Sequence, residues 1–282
     1  MTRCEKPIAI DAYYAIGAAH KVCEDYALAK GGSIPHLVVA DGCSGSAHSD
    51  VGARILAWSA ASVITCSDIG NDKVPFGYDE FGRLVNIIAT DAMNTLPGLR
   101  REALDATALA AIYYRKAAHV YAYGDGVIVG RRRDGEIVVI EIEYAHNMPF
   151  YLSYWGDCER RSAYHAASAP FEQGAVSETT TFFASDGSVR DTLINTKQPD
   201  DEFIYSFDEK KYEMVAVLSD GVGSFVDGDG ERIKINGLAT NLTDLKSHRG
   251  EFIQRRAKRE LKTLAKQGVS HQDDFSIGAM LM

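Results

Sequence analysis

Seven carboxylates in this chain stand where an apolar run gives way to a turn: Glu24, Asp25, Asp41, Asp125, Asp220, Asp273 and Asp274. The clearest case is His36-Leu-Val-Val-Ala40, which stops at Asp41-Gly42; Met214-Val-Ala-Val-Leu-Ser-Asp220-Gly221 repeats the pattern much later. A β-branched run bounded by glycines reads as a buried strand. Each strand therefore delivers a carboxylate to the mouth of a sheet, and the glycine beside it lets an ion or ligand approach the backbone closely. Several acids gathered in one concavity repel one another unless a cation neutralises them. The set is all oxygen, without organised Cys or His partners, which favours magnesium or manganese over zinc or copper. Hard cations that keep coordination positions for water suit polarising a phosphoryl oxygen and activating a water, so phosphate-ester hydrolysis follows more naturally than acyl transfer. The sequence has no Gly-x-Ser-x-Gly elbow, no His-Glu-x-x-His and no Walker-type loop, and the glycines at 124, 126 and 130 miss the dinucleotide spacing.

The elements that must position these acids are legible in part. Ile8 to Ile16 reads as a first strand, and Glu24-Asp25 taken alone as a turn or hairpin rim. Ser49 or Asp50 is the expected N-cap of a helix from about Val51 towards Cys66, with Ile55, Trp58 and Val63 facing the core. A second helix carries Phe81, Leu84, Val85, Ile88 and Ala92 at helical spacing and ends by Pro97-Gly98. Residues 105–142 read as an antiparallel meander, with a charged turn at Arg115-Lys116 and a hairpin turn at Asp134-Gly135. From Glu143 to Lys211 we expect an irregular insertion with short strands, a lid or substrate-facing surface, within which Ser185-Asp186-Gly187 is a decoy. Asp227-Gly-Asp229-Gly-Glu231 lacks the glycine and closing glutamate of a calcium loop and reads as a turn. A last helix sets Ile253, Ala257, Leu261 and Leu264 on one face, and a strand follows Asp273-Asp274.

The chain has 282 residues and 46% hydrophobic content, enough for one large core. A net charge of -9 argues against a nucleic-acid partner held by a broad basic face; Arg131 to Arg133 and Arg255 to Lys262 read as solvated faces. Five scattered cysteines, Cys4, Cys23, Cys43, Cys66 and Cys158, form neither a disulfide framework nor a zinc site. With no signal-like or membrane-length apolar run, the expectation is a cytoplasmic protein without a membrane partner.

Glu24-Asp25, Asp41-Gly42, Asp105-Ala-Thr107, Tyr123-Gly124-Asp125, Leu218-Ser219-Asp220-Gly221 and Asp273-Asp274-Phe-Ser276 form an ordered series over nearly the whole chain. In that order and spacing they resemble the metal-dependent protein phosphatases of the 2C type, in a divergent, bacterial-like branch. The resemblance implies an α+β fold: one domain over residues 1–282, with an irregular insertion at about 143–211, built as a four-layer α/β/β/α sandwich of two antiparallel sheets flanked by helices. It further implies a site for two Mn²⁺ or Mg²⁺ ions. Asp41 bridges both, the Gly42 carbonyl binds one, Asp220 and Asp273 complete the other, and Glu24 and Asp25 hold or orient metal-bound waters. A hydroxide between the ions then attacks phosphoserine or phosphothreonine in a protein substrate, opposing a serine/threonine kinase.

Three departures from the family pattern accompany the resemblance. Cys43 stands where many relatives have a histidine that serves as general acid, leaving metal-bound water or His48 to supply the proton. His20 stands where many have a phosphate-binding arginine, and is a candidate phosphate contact or a structural imidazole. Asp125 matches a third-metal ligand, but Ser224 replaces the acid four residues beyond Asp220, which implies that a third ion binds weakly or not at all. The alternatives are a pseudophosphatase that binds phosphoproteins, and a phosphatase of small metabolites.

Overall fold

The computed structural model describes residues 7–67, 73–168 and 175–282. In chain order its strands are β1 (Ala9–Ala15), β2 (Asp25–Lys30), β3 (His36–Gly42), β4 (Ala106–Tyr114), β5 (Ala117–Tyr123), β6 (Gly126–Arg132) and β7 (Ile137–Tyr144). There follow β8 (Val176–Phe183), β9 (Val189–Lys197), β10 (Ile204–Asp208), β11 (Tyr212–Leu218), β12 (Phe225–Val226), β13 (Ser270–His271) and β14 (Phe275–Leu281). The helices are α1 (Ser49–Cys66), α2 (Tyr78–Asn94), α3 (Cys158–Ser168), α4 (Ile235–Thr243) and α5 (Phe252–Lys266).

Two antiparallel sheets lie face to face. One has the order β1-β14-β11-β6-β7-β8-β9 and the other β10-β5-β4-β3-β2. Alternation along each strand decides the layers: Val138, Ile140 and Ile142 of β7 point between the sheets, while Ile137 and Val139 point outwards to the apolar face of α4 and α5. Helices α1 and α2 cover the outer face of the five-stranded sheet. The layers are helix, sheet, sheet, helix, the four-layer α+β sandwich expected. No helix of the described residues is long and apolar enough to cross a membrane.

Several local expectations change. The cap of α1 is His48 in the left-handed region (φ 64°) with no side-chain cap bond, because the Ser49 hydroxyl donates to Glu24 Oε1 at 2.8 Å instead. Trp58 is 52% exposed and its indole donates to Tyr26 Oη; the small residues Ala53, Ala57, Ala60 and Ala61 face the sheet and let α1 pack close. Ile88 is likewise exposed, and the buried face of α2 runs through Phe81, Val85, Ala89 and Met93. Residues 105–142 are two hairpins in different sheets, since the chain passes from β5 to β6 through Gly124-Asp125, with both Gly124 and Gly126 at positive φ.

Between 143 and 211 the described residues carry α3 and three strands: β8 and β9 extend the seven-stranded sheet and β10 borders the other. Residues 169–174 of this stretch lie outside the described residues, as does Cys4. Asp186 sits in the exposed β8–β9 turn, bonded to Ser188 and remote from the other acids, as a decoy should.

Candidate functional site

Strand pairing alone brings the first acids together. In the β2–β3 register Asp25 lies directly opposite Asp41, and in the β3–β4 register Asp41 lies opposite Thr107. The other sheet contributes at the same end of the sandwich. β11 and β14 are neighbours, Ser219 N–H donates to the Ser276 carbonyl at 3.1 Å, and Ser276 N–H donates to Ser219 Oγ at 3.0 Å. Asp220 therefore leaves β11 beside Asp273, which precedes β14. Asp125 joins them from the β5–β6 crossing.

A cavity of about 170 Å³ is walled by Asp41, Asp125, Asp220 and Asp273, with Gly42, Cys43, Thr107 and Tyr151 among its other neighbours. No Lys or Arg lines it among the described residues. A second cavity, about 250 Å³, shares Asp125 and Asp220 and adds Glu141, Glu143 and Arg232.

Electrostatics follow from that enclosure. Burial pushes the Asp25 carboxyl up to about 7; Asp220 adds to the rise, while Ser276, Asp41 and Ser219 oppose it. Asp41 is driven well above the carboxylate range by burial and then by Asp25 and Asp220. Burial and Asp220 do the same to Asp125. Asp273 is raised by burial, against the lowering effect of the Asp274 N–H.

Both carboxylate oxygens of Asp25 are buried without a hydrogen bond, as are Thr107 Oγ1 and Ser276 Oγ. The serines beside Asp25 are thus near enough to favour its ionised form without bonding to it. Buried oxygen acceptors left unpaired around an all-carboxylate cavity fit a hard divalent cation.

The backbone is shaped to the same end. A Cβ on Gly42 would lie 2.8 Å from the Ser49 carbonyl oxygen and 3.0 Å from that of Glu24, so only glycine lets β3 pass this close to α1. Gly221 is tighter still, with the Asp274 carbonyl oxygen 1.7 Å from such a Cβ. Ser224, where the family pattern has an acid, donates its hydroxyl to the Gly221 carbonyl at 2.7 Å and accepts the Asp273 N–H at 3.1 Å. It seats Asp273.

The remaining sequence candidates fall elsewhere. Asp274 is buried and accepts hydrogen bonds from the backbone N–H groups of Gly17 and Glu24, which tethers the start of β14 to the β1–β2 loop. His20 lies 3.2 Å from both Asp273 and Asp274 and 3.5 Å from Glu24. His20, Glu24 and Asp274 form a compact group with ligand-type atoms within 4.8 Å of one another, behind the walls of the main cavity. His48 is exposed and outside the cavity wall.

Two features carried no usable sequence signal. Tyr151 comes from the stretch read as irregular, yet its buried hydroxyl reaches Cys43; burial and Cys43 raise its pKa, so it stays a protonated donor. The Arg160 guanidinium grips buried Asp105 at 2.7 and 2.8 Å. Asp105 also accepts from Ser46 and Ser153, at 3.0 and 2.6 Å, and its carbonyl accepts the Cys43 N–H. This network anchors the loop after Asp41-Gly42 to the segment that carries Tyr151.

Residues 17–153 match the family model described as protein phosphatase 2C. No curated protein matches the chain. Among solved structures, the serine/threonine phosphatase Stp1 from Staphylococcus aureus is similar with a TM-score of 0.57 and 11% identity, over 98% of this chain and 96% of that one. The Mycobacterium tuberculosis phosphatase PstP/Ppp and the S. agalactiae serine/threonine phosphatase each have a TM-score of 0.54 and 14% identity, over 98% of this chain and 99% of theirs. At such identity the likeness establishes the fold.

Proposed function

With a family match over residues 17–153 and a fold like that of bacterial protein phosphatases of the 2C type, we propose that this chain is a metal-dependent phosphatase of phosphoserine and phosphothreonine in proteins. The observation that carries the reading is the convergence of Asp41, Asp125, Asp220 and Asp273 on one cavity backed by the unpaired carboxylate of Asp25. In this reading Asp41, Asp220, Asp273 and the Gly42 carbonyl would hold two Mn²⁺ or Mg²⁺ ions, while Asp25, buried behind Asp41, and Glu24, bonded to Ser49, lie outside the cavity lining and would act on that set from behind it. Bound there, the cations neutralise the acids, polarise the phosphoryl oxygens and activate a water for in-line attack. Asp25 stands behind Asp41 and, after burial itself, is the next cause of its raised pKa. Thr107 and Tyr151 line the cavity, and Tyr151 holds its proton beside Cys43 at the position where many relatives have a histidine. Asp125 and Asp220 face the second cavity with Glu141 and Glu143, but Ser224, where the family pattern has an acid, is committed to Asp273, which argues for a weak third ion or none.

Hydrolysis of an aryl phosphate and of a phosphothreonine peptide, with and without Mn²⁺, tests the reading. We expect metal-dependent turnover that Asp41→Asn abolishes; turnover no greater than in that variant would refute it. Binding of the phosphopeptide without turnover is instead the outcome for a phosphoprotein-binding module, a reading motivated by Cys43 and His20 standing where many relatives have a histidine and an arginine. Faster turnover of a small phosphorylated metabolite than of the peptide would redirect the substrate class.

A further inference from the structure

Strand β9 is the outer edge of the seven-stranded sheet, and every residue from Val189 to Thr196 is exposed on both faces. Val189, Leu193 and Ile194 are 62%, 49% and 68% exposed. At the opposite edge of the same sheet, only Tyr14 of β1 is exposed. A long edge strand with bare apolar side chains and no proline or inward bulge along 191–197 is a template for pairing with another strand.

The sequence of that edge is complementary to itself. About Ile194, an antiparallel copy of Asp191-Thr-Leu-Ile-Asn-Thr-Lys197 sets Asp191 opposite Lys197, Thr192 opposite Thr196, Leu193 opposite Asn195 and Ile194 opposite Ile194. Facing residues share a side of the sheet, and β9 already shows which side is which. Asn195 and Lys197 both bond Glu178 of β8, at 3.1 Å each, so the odd-numbered residues lie on that side and Thr192, Ile194 and Thr196 on the other. The backbone agrees. Thr192 N–H donates to its neighbour's Asp191 carboxylate rather than into β8, which leaves the even-numbered backbone groups directed to the open edge.

We propose that two copies of this chain associate through β9 in an antiparallel, two-fold pair centred on Ile194, joining their seven-stranded sheets into one. Each Asp191 then joins the Lys197–Glu178 cluster of the second copy, and the two Ile194 side chains cover each other. An isologous contact of this kind closes after two copies. One strand pair buries less than a standard interface, so the dimer forms at micromolar protein, with a dissociation constant on the order of 10 µM.

Sedimentation velocity of the full chain from about 1 to 200 µM reads this directly. The expected result is a concentration-dependent monomer–dimer transition that Ile194→Lys shifts at least tenfold to higher concentration. Asp191→Lys shifts it in the same direction. Ile194 is exposed, so an unchanged melting curve shows that the variant is folded; Leu193→Asn provides a second variant on the other face. A wild-type chain that stays monomeric at 200 µM overturns the proposal, including the case in which β9 receives an extended segment of another protein. So does a dimer that Ile194→Lys leaves intact.

Discussion

Replacing Asp25 by asparagine should stabilise the metal-free protein at alkaline pH while damaging its response to metal. Asp25 is fully buried, faces Asp41 across the β2–β3 register and makes no side-chain hydrogen bond. A carboxyl moved from 3.8 to about 7 bears a penalty of about 4 kcal/mol on its ionised form. The folded state holds the proton more tightly than the unfolded chain does. This group's stabilising contribution is therefore full below about pH 4 and is lost as pH rises through about 7. Asp41 and Asp125 are raised for the same reason and add to the trend. Asparagine removes the charge but leaves a buried polar group short of partners, a cost of about 1–2 kcal/mol. The net gain at pH 8–9 is about 2–3 kcal/mol, a rise of roughly 3–5 °C in melting temperature for a chain of 282 residues. At pH 5, where wild-type Asp25 is already protonated, the gain should vanish. The assay is thermal unfolding in chelator from pH 5 to 9, repeated with saturating Mn²⁺, where the wild-type curve should flatten as the cation replaces the protons. A metal-free wild-type melting temperature that rises across this range, together with Asp25→Asn melting lower at pH 9, would refute the burial argument.

Other outcomes follow from the same geometry. Asp41→Asn should abolish the Mn²⁺-induced rise in melting temperature as well as turnover, measured by thermal shift and by peptide hydrolysis. Gly42→Ala must push a methyl group against the backbone of Ser49 and Glu24 and should cost about 1–3 kcal/mol in urea unfolding, with weaker Mn²⁺ affinity by calorimetry. Arg160→Met strands the buried Asp105 carboxylate. Because Arg160 itself keeps 22% exposure, the cost should be about 2–3 kcal/mol, below that of a fully enclosed pair, and Asp105→Asn in the same chain should recover part of it in a double-mutant cycle.

The acids of the site were legible because each ends an apolar run, and strand patterning marks where a chain meets the mouth of a sheet. Asp41 and Asp220 needed only that pattern and a following glycine. Helices α1, α2 and α5 are visible through their periodicity; in α1 Val63 is buried and Ile55 packs against the core as expected, while Trp58 stays outside because the alanines face the sheet. Strand patterning marks Asp273 and Asp274 alike and only the family resemblance picks out Asp273; in the fold Asp273, its N–H held by Ser224, lines the cavity, while Asp274 turns inwards to bond Gly17 and Glu24. Nor could it show that His20 is surrounded by carboxylates or that His48 lies outside the cavity wall, since both depend on loops that carry no periodicity. Tyr151 with Cys43 and Arg160 with Asp105 join residues 108 and 55 positions apart. The chain itself determined that a row of carboxylates would stand at strand ends. Tertiary structure decided which of them meet, because proximity across two sheets is set by register and packing and not by separation along the sequence.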